Sequence, residues 1–449
     1  MTKLINHIVR RFTHQNAYLP KVKPNQNKSV SYCFRTQDFN SIFYFLQSSF
    51  WGKINLAPRD PIISINHLYQ QDSNPSKMNL SIGTYRTEDN QGYVFPSVRK
   101  AERKVFDVCK HLDKEYSPME GFQPLTQEAF RLIFGDSSLE KSSITVQTMA
   151  GTGALDLGAA FLGKFFEGHK IVSISNPSWI NHFFIFRNYN FDIKAYRYYD
   201  NARKTFDAEG FFNDINQLPD HSVILFQPCG HNPSAIELSL EQWNMVSRIV
   251  RRKNLLPFFD IAYHGLCSGN IDQDVRPIRL FAEHGHMMIV SQSFSKNMGL
   301  YSDRVGSLTI LCESENEAYR VQSQLKNIII SKYICPPTQT GRLVATILLD
   351  KNLKEEWQKD LKNIAIRLLK TRKQLQERLD LFCPKHSDQW RTITEQKGIF
   401  WYSGLTSSQV EKLINDYSIY LCEDGRVNIA GLTPNNIDFF VNVLQEILD

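Results

Sequence analysis

The sequence predicts an α/β protein: a large domain around a mostly parallel sheet, joined to a smaller α/β domain. Three observations carry that reading. From about residue 140, short apolar runs alternate with stretches of helical periodicity, as in a sheet covered by helices. From 352 to 382, Leu353, Trp357, Leu361, Ile364, Leu368, Leu375 and Leu379 recur at helical spacing, predicting one long helix that leads into a C-terminal α/β unit. Across 449 residues, 42% are hydrophobic and 22% charged, a globular mixture, and no apolar run nears the roughly 20 residues of a membrane span.

The chain opens on a basic segment. Residues 1–47 carry Lys3, Arg10, Arg11, Lys21, Lys23, Lys28 and Arg35 against one acid, Asp38, with Ser, Thr and Asn between them. That composition fits a mitochondrial transit peptide, and it also fits a basic arm that docks on a partner. The net charge of the whole chain is +6, so the remainder is close to neutral. Charge therefore gives no reason to expect a nucleic-acid surface or an anionic-membrane surface on the body.

The apolar runs beginning at Ile144, Ile171, Val223, Leu256, Met288 and Val305 read as buried strands, with Leu155–Phe166 and Leu240–Lys253 as helices between them. There is no internal repeat and no long linker. Sheets of this kind bind ligands at the carboxyl ends of their strands. The eight cysteines form no C-x-x-C pair, which reads as free thiols in a reducing compartment, with no metal site.

Three segments carry chemistry. The first runs from Ser291 to Gly306. Lys296 follows a buried strand in a turn dense with Ser and Asn, and a lysine withdrawn from water has a lowered pKa and becomes a nucleophile toward carbonyl carbon. Ser293, Ser295 and Arg304 surround it with the donors that suit a phosphate monoester. The second is Met149-Ala-Gly-Thr-Gly-Ala-Leu-Asp156, a glycine-rich turn into a helix, where backbone amides and the helix dipole favour an anion. The third is Phe258-Phe-Asp-Ile-Ala-Tyr263. Asp260 ends an apolar run as a buried carboxylate in need of a cationic partner, or as a helix cap, and Tyr263 is placed to face the same cleft.

These segments resemble those of the aspartate aminotransferase family, pyridoxal-phosphate enzymes of fold type I. The resemblance covers nearly all of residues 48–449. It includes Ser48-Ser-Phe-Trp51, Asp60-Pro-Ile-Ile63, Asn79–Arg86, Phe95–Glu102, Asn176–His182, His231–Ser234 and Gly425–Pro434. The opening from Ser48 is similar to the mature start of the mitochondrial isoform. The resemblance implies a homodimer in the mitochondrial matrix, with the cytoplasm as the alternative. It also implies a division into an extension (1–47), an arm with the first part of a small domain (48–93), a cofactor-binding domain (94–351), and an interdomain helix with the rest of the small domain (352–449).

The resemblance also assigns roles. Lys296 carries the cofactor and later shuttles a proton. Asp260 keeps the pyridine nitrogen protonated, with His182 behind it. Tyr263 and Asn232 bond the phenolic oxygen, and Trp179 stacks on the ring. Gly151, Thr152, Ser293 and Arg304 hold the phosphate, while Tyr116 reaches the phosphate of the partner subunit. Arg426, helped by the backbone of Gly83, grips the substrate α-carboxylate.

The expected activity is transamination between an L-amino acid and a 2-oxo acid. A lyase on the same fold and a non-catalytic protein derived from the enzyme are the alternatives. Three departures bear on this. Ala150 stands where the family has a phosphate-binding serine, and Gln227 where it has a histidine. Ile330 stands where the family has the arginine that clasps a side-chain carboxylate, with Ile334-Cys335 in place of Ser-Asn nearby and Lys332 as a possible substitute cation.

Overall fold

The structure is a computed structural model that describes residues 50–57, 60–112 and 114–448. The basic segment 1–47, and with it the targeting expectation, lies outside the described residues. Residues 50–57 include a short turn in which the Ile54 N–H donates to the Trp51 carbonyl (3.0 Å).

From residue 60 onward the chain is built on a seven-stranded sheet. Its strands are β1 (Ser143–Met149), β2 (Ile171–Asn176), β3 (Asp192–Arg197), β4 (Val223–Phe226), β5 (Leu256–Ile261), β6 (Met288–Ser293) and β7 (Val305–Leu311). The order across the sheet is β1-β7-β6-β5-β4-β2-β3. Only β7 runs antiparallel to its neighbours, so the sheet is mostly parallel, as the sequence predicts.

Nearly every residue of β4 to β7 is buried, which is why these strands read as predominantly apolar runs. Their side chains alternate between two cores: Val223, Leu225, Phe258 and Ile289 face one, and Ile224, Phe226, Phe259 and Val290 the other. β3 is the strand the sequence reading lacks. Asp-Ile-Lys-Ala-Tyr-Arg lies at the sheet edge with most side chains exposed, so it has charge where an interior strand has apolar bulk.

The helix read from Leu155 begins five residues earlier, spanning Ala150–Phe165, so Gly151 and Thr152 occupy its first turn. Its small residues allow close approach to the sheet: a Cβ on Gly158 would stand 2.6 Å from Phe258 Cζ. The second expected helix spans Leu240–Arg252 and starts from a Ser239–Gln242 capping box.

The long helix spans Lys351–Phe382, and its buried stripe contains the seven apolar residues named above. Trp357 on this helix donates to the Asn297 carbonyl (2.7 Å), bracing the turn next to Lys296. Arg372, also buried, donates to the carbonyls of Ile393, Gly398 and Phe400. Beyond it, Phe400–Tyr402 pairs antiparallel with Arg426–Asn428, and Ile419–Tyr420 pairs in parallel with Met78–Asn79. Among the described residues, no helix is long and apolar enough to cross a membrane.

Candidate active site

A cavity of about 360 Å³ opens where β1, β4, β5 and β6 end. Its lining contains the site residues singled out from the sequence except His182, which is buried behind Asp260, and Tyr116, which is exposed on the surface (78%) and does not line it.

Lys296 stands three residues past the end of β6, with Nζ donating to the Gly83 carbonyl (2.7 Å) and lying 5.0 Å from the centre of the Tyr301 ring. Burial first, then the guanidinium groups of Arg426 and Arg304, bring its pKa down from 10.5 to about 8. Gly83 is required here: a Cβ would meet Phe400 Cζ at 2.7 Å. The Asn428 side chain holds this strip of chain by donating to the carbonyls of Ile82 (2.6 Å) and Thr84 (2.8 Å).

Opposite Lys296 is the start of the helix Ala150–Phe165, which no side chain caps. Its free amides at Gly151 and Thr152 face Ser293, Ser295 and Arg304 across the cavity. The Arg304 guanidinium donates to Ser295 Oγ (3.1 Å) and the Tyr301 carbonyl (3.0 Å). Ala150 has φ +60°, and a Cβ on Gly306 would stand 2.7 Å from its carbonyl carbon, so backbone is packed against backbone at this turn.

Asp260 lies within β5 and so is not a helix cap. Oδ2 accepts from His182 Nε2 (3.0 Å) and Oδ1 from Ser291 Oγ (3.4 Å). The Trp179 ring meets His182 edge-on, with centroids 5.3 Å apart. Tyr263 and Asn232 both reach the cavity, and burial pushes the Tyr263 phenol well above its ordinary range. Arg426 is buried, with Nη1 donating to Asn232 Oδ1 (2.5 Å), its guanidinium carbon 4.4 Å from the centre of the Phe400 ring, and Nε without a partner.

Among the cavity residues that were given no role from sequence are Tyr301, Phe400 and Gln227. The Tyr301 hydroxyl accepts from the Tyr85 N–H (2.9 Å). Only chain segments distant in sequence bring these groups together. Outside the cavity, Ile330 lies half-exposed on the helix Glu315–Lys332. Lys332, offered as a substitute cation, does not line this cavity: Nζ donates to Asp156 Oδ2 and Tyr189 Oη, both at 2.6 Å. Cys229, Cys267 and Asp274 bring potential metal ligands within 4.8 Å of one another, but Gly265 and Ser268 amides already donate to the Asp274 carboxylate.

The cavity therefore presents Lys296, Arg304 and Arg426 against one acid, Asp260. Among the described residues, no carboxylate forms an ion pair with either arginine. Buried cations call for anions. A phosphate at the uncapped helix start and a carboxylate at Arg426 answer that demand, and the lowered pKa of Lys296 suits a carbonyl carbon, so these residues fit pyridoxal phosphate together with an amino acid.

Fold and site together define a pyridoxal-phosphate enzyme of fold type I. The chain belongs to the class I and II aminotransferases, whose family model matches residues 75–444. It is 39% identical over 403 residues to the mitochondrial aspartate aminotransferase of Xenopus tropicalis, covering 89% of this chain and 93% of that one. With the mitochondrial aspartate aminotransferase of Dictyostelium discoideum it shares 38% over 405 residues, covering 89% and 93%.

Among solved structures, it matches the aromatic-amino-acid aminotransferase of Burkholderia pseudomallei covalently bound to pyridoxal phosphate. The TM-score is 0.85 at 36% identity, covering 90% of this chain and all of that one. The cytoplasmic aspartate aminotransferase of Saccharomyces cerevisiae matches with TM-score 0.85 at 34% identity, covering 89% and 98%. The protein is thus a pyridoxal-phosphate-dependent aminotransferase of the aspartate aminotransferase family, catalysing transamination.

Proposed function

We propose that this aminotransferase prefers neutral, and especially aromatic, L-amino acids over aspartate and glutamate. The observation that carries the reading is Ile330, which stands where the family places the arginine for a side-chain carboxylate. Arg426 is present, so the α-carboxylate of any amino acid can be held. A side-chain carboxylate brought to Ile330 and Ile334 loses its partner, at a cost of about 3–5 kcal/mol, or roughly two to four decades in kcat/KM. An apolar side chain loses nothing there and gains contact. Lys332 is no ready substitute, because it is engaged by Asp156.

In the same reading, the bound cofactor supplies an aldehyde and an electron-withdrawing ring. Lys296 Nζ, beside the Gly83 carbonyl, would hold the cofactor through that aldehyde when no substrate is bound, and as a free amine would be the base placed to move the substrate Cα proton. Asp260, held by His182 and Ser291, keeps the pyridine nitrogen protonated. Trp179 stacks on the ring, and Tyr263 with Asn232 bonds its phenolic oxygen. Gly151, Thr152, Ser293 and Arg304 take the phosphate. Arg426, with the Gly83 backbone, orients the α-carboxylate.

The proposed assembly is a homodimer in which Tyr116 and the Ile330 segment complete the neighbour's site. The exposure of both is in keeping with this. The proposed compartment is the mitochondrial matrix, supported by the basic segment and by the names of the relatives. The proposed small domain combines 48–93 with 352–449, which the pairing of Met78–Asn79 with Ile419–Tyr420 supports.

The test is kcat/KM for aspartate, glutamate, phenylalanine and leucine. The neutral substrates are expected to lead, and Ile330→Arg is expected to restore the acidic ones. Aspartate turning over faster than phenylalanine in the unaltered enzyme would refute the preference.

A further inference from the structure

Behind the cavity, a run of hydrogen bonds leads from Asn232 to Asp260, and its direction can be read from one backbone amide. The Asn232 N–H lies 3.0 Å from Gln227 Oε1. A backbone N–H only donates, so this contact identifies the oxygen end of the Gln227 carboxamide. The nitrogen end then faces the Asn232 carbonyl (3.3 Å) and Ser178 Oγ (3.4 Å). Nε2 has hydrogens and no acceptor lone pair, so Ser178 Oγ accepts from it.

Ser178 Oγ keeps its own proton to give, and His182 Nδ1 lies 2.9 Å away. His182 Nε2 faces a carboxylate that only accepts, so in the neutral ring Nδ1 is the lone-pair end and takes the Ser178 proton. Because Nδ1 accepts, the ring carries its proton on Nε2, where it donates to Asp260 Oδ2 at 3.0 Å. His182 is fully buried.

We infer that Gln227 is a positioning residue: acting through Ser178, it holds His182 in the Nε2–H tautomer and so keeps that N–H aimed at Asp260 Oδ2. A histidine at 227, the family's residue, has two tautomers and a charged form, and either ring nitrogen can donate or accept. The carboxamide has two distinct ends and does not titrate. Here one end is committed to Asn232, so the direction of the whole run follows from it. The departure at 227 is therefore a working substitution and not a loss. The inference rests on the role proposed for Asp260, and the same residue links Asp260 to the segment whose Asn232 side chain holds Arg426.

The test is nitrogen NMR of the cofactor-loaded, full-length protein with ¹⁵N-labelled histidine, the His182 signals being assigned by their loss in His182→Gln. The unaltered protein is expected to show His182 protonated at Nε2 and unprotonated at Nδ1. Gln227→Glu keeps the shape and the acceptor for Asn232 but removes the donor toward Ser178. Ser178 then turns its proton to the new carboxylate, and His182 Nδ1 is expected to gain a proton, with kcat falling more than KM rises. Gln227→Met, with neither end polar, is expected to give mixed His182 signals.

A proton on Nδ1 in the unaltered protein would overturn the inference, whether or not the variants fold. So would an unchanged His182 ring in Gln227→Glu. Asp260→Asn separates the two readings: if cofactor binding and spectrum survive that change while His182 in the unaltered protein is Nε2–H, the role of Asp260 fails and the tautomer assignment stands.

Discussion

The pKa of Lys296, about 8 against the ordinary 10.5, gives a sharp prediction about the apo-protein. At pH 7 about a tenth of such an amine is neutral, compared with about 0.03% of an ordinary lysine, a gain of about 300-fold in the form that attacks carbonyl carbon. The apo-protein is mixed with pyridoxal phosphate from pH 6 to 11, the adduct is trapped with borohydride, and its rate of formation on Lys296 is followed by mass spectrometry. The rate is expected to rise with a midpoint near 8. Arg426→Met removes the larger of the two cationic contributions, so it should move that midpoint upward. Stability follows from the same proton. Between about 8 and 10.5 the unfolded chain holds the Lys296 proton and the folded chain does not, so this group makes apo-protein stability rise with pH across that window. A midpoint above 10, or an adduct formed mainly on another lysine, would refute the reasoning.

Lys296→Ala should abolish transamination while the protein still folds and retains cofactor without a covalent bond, which gel filtration and absorbance would check. Mixing a Lys296→Ala subunit with a Tyr116→Ala subunit should give hybrids in which one of two sites is whole; sedimentation showing a fully active monomer would contradict the shared site. Gly158→Ala adds a methyl 2.6 Å from Phe258 Cζ, an overpacking cost of about 1–3 kcal/mol. That exceeds the helix-propensity gain of about 1 kcal/mol, so the thermal midpoint should fall; a rise would mean that the Phe258 ring moves aside freely.

The central strands were legible because burial on both faces favours apolar residues, unbroken in Val223–Phe226 and dominant in Val305–Leu311. β3 was not, because an edge strand meets water and Asp192, Lys194 and Arg197 interrupt its apolar signal. The long helix was legible from its stripe alone. Lys296, Asp260 and the glycine-rich turn could be found because each follows or ends a strand, so local pattern and location in the cleft coincide. Tyr301 and Phe400 carry no such mark. Tyr301 lies in a turn whose meaning comes from Tyr85, and Phe400 gains its place from the buried Arg372 and from stacking on Arg426. Gln227 registered only as a departure, since its value lies in the orientation of a carboxamide, which composition does not encode.

The pairing of Met78–Asn79 with Ile419–Tyr420 makes the two ends of the chain wait for each other. At about 5–20 residues per second, ribosomal synthesis separates the emergence of these partners by an interval on the order of tens of seconds. Met78 and Leu80, both buried in the finished protein, have no strand to dock on during that time. Arg426 and Asn428 arrive in the same late stretch, so the groups that grip the carboxylate and pin the Ile82–Thr84 strip come almost last. A nascent chain stalled at residue 400 would already hold the whole seven-stranded sheet and Lys296, yet would have an unclosed cleft and an exposed apolar N-terminal segment, the kind of surface that holdase chaperones bind.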